Sequence, residues 1–432
     1  MIAKFAIPCV FSNILFFLFQ LTLLYFIGQN CGTVMAASIG MGIMLMNVLC
    51  LAFTQSFNGS LETFVTQTRS ANDFYGCGLA FNKHRLLLSL IFVPMVILFY
   101  FCDSILIACA QDPEISVLAR NYIFCCLPGL FAISLFDARK RFLQSLLMGQ
   151  ISTNVQCITV VLHVFWCWLF IQNWQMELYG AAICLNITYI STYAIQEIYV
   201  TIVKKSDFDI YQVSLFDQES FLDWGRYLKI AIPTTILGCV EWWAFEFIVI
   251  FAGTIGVEYL QAQVAVININ YCIFMLSMGL QFTASGLVGQ TLAPSRSQAK
   301  RFALCCVIMA VSLILILAIL INIFDRDLAR IFTQNEEVID IVCQLIPYLA
   351  VFVLLDAVHG VQAGNVRALG RQKPVTYMTI LCYYVIGMPL AVYLGFYCEM
   401  NLEGFWLGFI IAMTLVDIVV VYLVVTSPWK AE

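Results

Sequence analysis

A helix that crosses a bilayer needs about 20 consecutive, mainly apolar residues, and this chain supplies twelve such stretches. They fall at 5–27, 35–57, 86–108, 116–137, 151–172 and 178–203, then at 228–253, 262–289, 301–324, 338–362, 375–397 and 403–426. Charged residues make up 11% of the sequence, against about 25% in a soluble domain. Too few charges remain to cover a surface in water, so lipid must be the solvent. The fold class that follows is all-α integral membrane, and disorder, collagen and a secreted disulfide scaffold are excluded. The first stretch lacks both a strong basic flank and a small-residue cleavage site, so it reads as a spanning helix and not a signal peptide. Met1 leaves almost no tail before it, as in a short or truncated N-terminus.

Charge sets the orientation, because Lys and Arg concentrate in cytoplasmic loops. With the N-terminus inside, Arg120, Arg326 and Arg330 are the only members of the 21 Lys and Arg to fall outside. The rest, from Lys4 through Arg139-Lys140-Arg141 and Arg367 to Lys430, fall inside. Both termini are therefore expected in the cytoplasm. The sequon Asn58-Gly59-Ser60 then faces the cytoplasm and reads as chance. Net charge is -5 with no dense basic cluster, so nucleic acid is not an expected partner. The 18 cysteines form no C-x-x-C pair and sit mostly in apolar runs, where Cys behaves as a small hydrophobe. A Cys31–Cys398 bridge is the one pairing left open.

The chain also repeats itself. Ala6-Ile7-Pro8 recurs as Ala231-Ile232-Pro233, Gly28 as Gly253, Gln67 as Gln290, Pro128 and Asp137 as Pro347 and Asp356, and Gly180 as Gly404. A colinear series at spacings of about 220 residues is the mark of an internal duplication. Each half then holds six helices, and an even number inserts both halves in the same orientation. Such parallel repeats occur in secondary transporters, with the binding site near the midplane. The domains read as an N-terminal six-helix lobe at 1–203, a polar cytoplasmic linker at 204–227 and a C-terminal six-helix lobe at 228–432. No phosphate-binding G-x-x-x-x-G-K-[ST] loop is present, which argues against nucleotide-driven transport.

Acidic residues within spans are costly and mark function by default. Glu241 and Glu246 lie in the seventh stretch and Asp356 in the tenth, with no Lys or Arg placed in the same membrane core. Each must hold a proton or a cation. Five residues rotate a helix by about 140°, so Glu246 cannot share a narrow face with Glu241 and takes either a cavity contact or a structural hydrogen bond. His359, three residues beyond Asp356, shares its face; it either tunes that carboxylate or, as the default, is satisfied by Asp356 or a backbone carbonyl. Asn268 and Asn270 are able to coordinate a ligand or to join helices. Trp242-Trp243 and Tyr383-Tyr384 offer stacking surfaces for a flat cation, with helix packing as the default role. Asp137 and Glu62 sit at cytoplasmic span ends, where water and Arg139 or Arg141 would satisfy them. Glu197 and Asp417 lie in the last span of each half, and their roles stay open.

At these residues the chain resembles the eukaryotic branch of the multidrug and toxic compound extrusion transporters. Glu241-Trp242-Trp243-Ala244-Phe245-Glu246 is similar to that branch's E-W-W-x-[YF]-E motif. Further likeness lies in Asp356-Ala357 through Gly364, Arg367, Gly370 and Gln372-Lys373, in Tyr383-Tyr384 with Gly387-Met388-Pro389, in Leu61-Glu62-Thr63 with Gln67, and in Arg141-Phe142-Leu143-Gln144. It runs from Pro8 to about Gly408. The resemblance implies two six-helix lobes in a V shape and export of organic, often cationic, compounds by antiport. Glu241 and Asp356 take the exchange positions, with Glu246, Asn268, His359 and Tyr384 as further candidates. Asn268 stands where some animal members carry another glutamate, and the first span has no aspartate like that of bacterial members. Proton is the coupling ion that the resemblance favours over sodium. No cofactor, catalytic residue or metal ligand is expected.

Two other classes compete with an exporter. A lipid or oligosaccharide flippase shares the two-lobe plan but tends to carry a cationic cavity, which this chain lacks. A membrane-embedded aspartyl enzyme would pair Asp137 with Asp356, yet Phe136-Asp137 and Leu355-Asp356 do not match Y-D and G-x-G-D. The expectation is a monomer that is not an enzyme, with small organic cations and the bilayer as partners, in the plasma membrane or a vacuolar or other endomembrane.

Overall fold

The computed structural model describes residues 2–108, 111–214 and 217–427; Met1 and Lys430 lie outside the described residues. Within them twelve helices are long and apolar enough to cross a membrane. In chain order these are α1 Ile2–Asn30, α2 Thr33–Ser70, α3 Phe74–Tyr100, α4 Pro113–Ser145, α5 Gln150–Asn173 and α6 Glu177–Val203. The second six are α7 Trp224–Ile255, α8 Val257–Thr291, α9 Arg296–Ile323, α10 Glu336–Leu369, α11 Gln372–Tyr397 and α12 Asn401–Val425. No strand occurs among the described residues. Helices satisfy their own backbone groups, which is what a chain in lipid must do.

The chain divides into two compact units, Phe11–Leu228 and Met1–Val10 with Lys229–Glu432. The grouping of Val10 with the second unit has a local cause. Gly279 of α8 has no side chain, and a Cβ there would meet Val10 at 2.6 Å from its backbone nitrogen. Similarly, the polar stretch read as a linker packs on the first unit. Asn82 of α3 donates to the carbonyls of Val213 at 3.0 Å and Ser214 at 2.8 Å, and Tyr75 donates to Asp217 at 3.1 Å.

Several helices extend beyond the apolar stretches that signal them, α3 and α2 the most. The sequence places the third span at 86–108, whereas α3 covers Phe74–Tyr100 and a separate short helix covers Cys102–Ala108. A hydropathy window misses the start because Asn82, His84 and Arg85 are polar, yet their partners lie inside the protein and the helix continues through them. Its end comes at Phe101, and the next turn is fixed by Asp103, which accepts from Arg120 at 2.7 Å. By the same logic α2 runs to Ser70, well past residue 57. The path of α11 loosens into wider π-helical turns at Leu381–Gly387 and Tyr393–Tyr397. These turns bring Tyr383 inward against Phe409 and Met413 of α12.

The repeated prolines occupy matching helices. Pro8 and Pro233 lie inside α1 and α7, the first helix of each half, and Pro128 and Pro347 inside α4 and α10, the fourth. Each unit has its own apolar core. Phe19, Tyr122, Phe136 and Tyr189 stand in the first, and Phe352, Trp406, Phe409 and Val361 in the second. Every cysteine among the described residues is free, Cys31 and Cys398 included, so no bridge joins them.

Candidate functional site

Three acids of the second unit gather around one histidine. Glu241 comes from α7, Asp356 and His359 from α10, and Asp417 from α12. His359 Nε2 lies 3.1 Å from Glu241 Oε1, and His359 Nδ1 lies 3.0 Å from Asp417 Oδ1. The histidine and Asp417 side chains are 6% and 9% exposed, while that of Glu241 is 26% exposed. Asp356 is buried and within electrostatic reach of all three. Tyr383 of α11 is buried near the three acids, and its hydroxyl donates to the Met413 sulfur at 3.2 Å. Among the described residues none of the three acids pairs with a Lys or Arg.

The helical spacing sets His359 on the face of Asp356, but its ring nitrogens are given to Glu241 and Asp417. The reason is direction: the ring projects past its own helix toward α7 and α12, whose acids reach it from either side. Asp417, like Glu197, has a role that the sequence alone leaves open. The signal was present, since an aspartate interrupts the apolar run Leu415-Val416-Asp417-Ile418-Val419. What sequence lacked was the knowledge that α12 lies against α10.

The remaining candidates stand apart from this cluster. Glu246 is half-buried beside Tyr271 of α8, as its rotation from Glu241 requires. Asn268 donates to the carbonyl of Val264 in its own helix at 2.8 Å. Tyr384 donates to the Val240 carbonyl at 3.0 Å, which ties α11 to α7 one residue before Glu241. Trp242 stacks on Tyr271 with ring centroids 6.5 Å apart.

The first unit has a polar cluster of a different kind. Arg141 of α4 lies 2.5 Å from Glu62 of α2 and 3.1 Å from Asp137, and Lys140 lies 3.3 Å from Asp137. Asn58 donates to Asp137 at 2.9 Å, and its carbonyl oxygen contacts His84 at 2.6 Å. All these side chains are buried, so water does not satisfy Glu62 and Asp137 as their place in the sequence suggests. Arg139 faces elsewhere, donating twice to Glu197 at 2.7 Å. Each acid of this cluster has its cation. That separates a structural ion cluster from the buried cluster of the second unit, where Glu241 and Asp417 share a histidine. Asn58 is fully buried and inaccessible to glycosylation.

Comparison with known proteins places the chain among relatives. The family model MatE matches residues 8–169 and 233–393, one match per half. Multidrug and toxin extrusion protein 2 of Oryctolagus cuniculus is 28% identical over 425 residues, covering 96% of this chain and 70% of the relative. Protein DETOXIFICATION 9 of Arabidopsis thaliana is 28% identical over 442 residues, covering 100% and 89%. The crystal structure of the eukaryotic MATE transporter AtDTX14 superposes with a TM-score of 0.93 over 99% of this chain and 96% of that one. At 21% identity, this last likeness is one of fold.

Proposed function

Because the chain belongs to the MatE family of membrane transporters, we propose that it exports organic cations in exchange for protons by alternating access, with Glu241 and Asp356 as the exchanging carboxylates. The observation that carries this reading is the acidic cluster of the second unit. Glu241, Asp356 and Asp417 surround His359 and meet no Lys or Arg among the described residues. Carboxylates in a low-dielectric setting gain far more from a bound cation than they would in water. With no cation there, burial favours a bound proton. A group that alternates between those two states couples two fluxes. Relatives named for multidrug and toxin extrusion support the direction of transport. The acidic partners of the site support cationic cargo over anionic cargo.

Uptake of ethidium into proteoliposomes under an imposed pH gradient tests the reading, with a sodium gradient as the parallel arm. Proton-driven accumulation is expected. Accumulation driven by sodium alone would replace the coupling ion, and none under either gradient would reject cation antiport.

A further inference from the structure

We infer that His359, anchored by Asp417, is an internal cation that occupies Glu241 and must release its proton before a cargo cation takes that carboxylate. This rests on the reading of Glu241 as an exchange group. Its basis is a hydrogen count. A neutral imidazole has one N–H donor and one acceptor, and a carboxylate only accepts. Both ring nitrogens of His359 face carboxyl oxygens, at 3.1 and 3.0 Å. With a neutral ring and two ionised acids, one of these contacts would set lone pair against lone pair. The bridged arrangement therefore holds two protons among the three groups. Imidazole is a stronger base than a carboxylate, so both are placed on the ring, and the trio of imidazolium and two carboxylates carries one net negative charge.

Loss of one proton breaks one contact, and burial decides which. Asp417 has only 9% of its side chain exposed, and its second oxygen, Oδ2, is buried with no hydrogen-bond partner. Taking the ring away would leave an unpaired anion in the interior, which is costly. The Glu241 side chain keeps 26% exposure and tolerates release far better. The ring accordingly stays on Asp417 and Glu241 becomes a free carboxylate, with the proton leaving through Glu241 to water. The titratable groups around the ring are Glu241 from α7, Asp356 on its own helix and Asp417 from α12, with Tyr383 from α11 near the three acids. Asp417 acts through the ring and is a positioning residue. A proton on His359 and a cargo cation thus compete for one carboxylate, which places the coupling in the contact between His359 and Glu241.

The chain has three histidines, so ring nitrogen signals are few enough to assign. The test is nitrogen-15 histidine NMR of the full chain in nanodiscs across pH, with His359→Gln identifying the signal. A doubly protonated ring is expected in the wild type at a pH where Asp417→Asn shows a singly protonated one, because an asparagine amide donates to the ring and removes the need for the second proton. Asp417→Glu should restore the wild-type signal. Adding ethidium should deprotonate the wild-type ring and leave Glu241→Gln unchanged. A singly protonated ring throughout, or a signal indifferent to Asp417→Asn, would overturn the inference. If the ring depends on Asp417 as stated yet ignores ethidium, the proton trio stands and the cation reading of Glu241 fails.

Discussion

Arg141 holds Glu62 at 2.5 Å and Asp137 at 3.1 Å, joining α2 to α4 with the ion pair sealed from solvent. Lys140 adds a second cation against Asp137, so two positive and two negative side chains balance. Removing one partner from a buried pair leaves an uncompensated charge and costs about 3–5 kcal/mol. Arg141→Met is therefore expected to lower thermal stability in detergent sharply. Adding Glu62→Leu to it should recover much of the loss, because the unpaired charge goes with it. Equal melting of Arg141→Met and wild type would show that the cluster contributes nothing to the fold.

Close approach of helices gives a second test, independent of charge. A Cβ at Gly364 of α10 would land on the backbone carbonyl of Gln281 in α8, and a backbone atom cannot swing aside. Overpacking of this kind costs about 1–3 kcal/mol. Gly364→Ala should destabilise by that order, while Gly28→Ala, with nothing within 4 Å of the new methyl, should not. Melting curves of the two variants side by side decide it.

How much of this was readable in advance depends on the kind of order involved. The twelve spans and the repeat rest on long apolar runs and on colinear matches such as Pro128 with Pro347, and both are properties of sequence alone. Helix ends were not readable in that way. Asn82 and His84 look like loop residues until Asn58 and the carbonyls of Val213 and Ser214 are found beside them. Glu241 and Asp356 announced themselves as acids without local cations. Asp417 did so too, but its meaning depends on a contact with His359 across 58 positions. Pairings between helices are set by packing, and spacing along one helix is silent about them. The same limit explains Arg139, which pairs with Glu197 and not with the acids of its own neighbourhood.

Topology is open to a direct check. Basic residues on one side and an even number of spans predict both termini in the cytoplasm. Epitope tags at the two ends should be reached by antibody in intact cells only after permeabilisation. A C-terminal tag accessible from outside would require an odd number of spans and would contradict the paired repeat.

Coupling should depend on the two carboxylates proposed to exchange. Glu241→Gln and Asp356→Asn keep shape and remove titration, so each is expected to abolish exchange driven by a pH gradient while expression and melting stay near wild type. Retained exchange in both variants would reject carboxylate coupling. Loss of folded protein would assign these acids a structural role.

Selectivity and voltage response together test the charge arithmetic of the site. Glu241, Asp356 and Asp417 around a single histidine form a net acidic cluster, so a flat monovalent cation should be carried in preference to an organic anion of similar size. One pH unit supplies about 1.4 kcal/mol per proton, and 100 mV supplies about 2.3 kcal/mol per net charge moved. One proton exchanged for one monovalent cation moves no net charge, so flux should follow the pH gradient and hardly respond to potential. Ethidium flux at fixed pH gradient, with the potential clamped by potassium and valinomycin, measures this. Steep voltage dependence would reject one-for-one exchange, and equal transport of an organic anion would reject the acidic site itself.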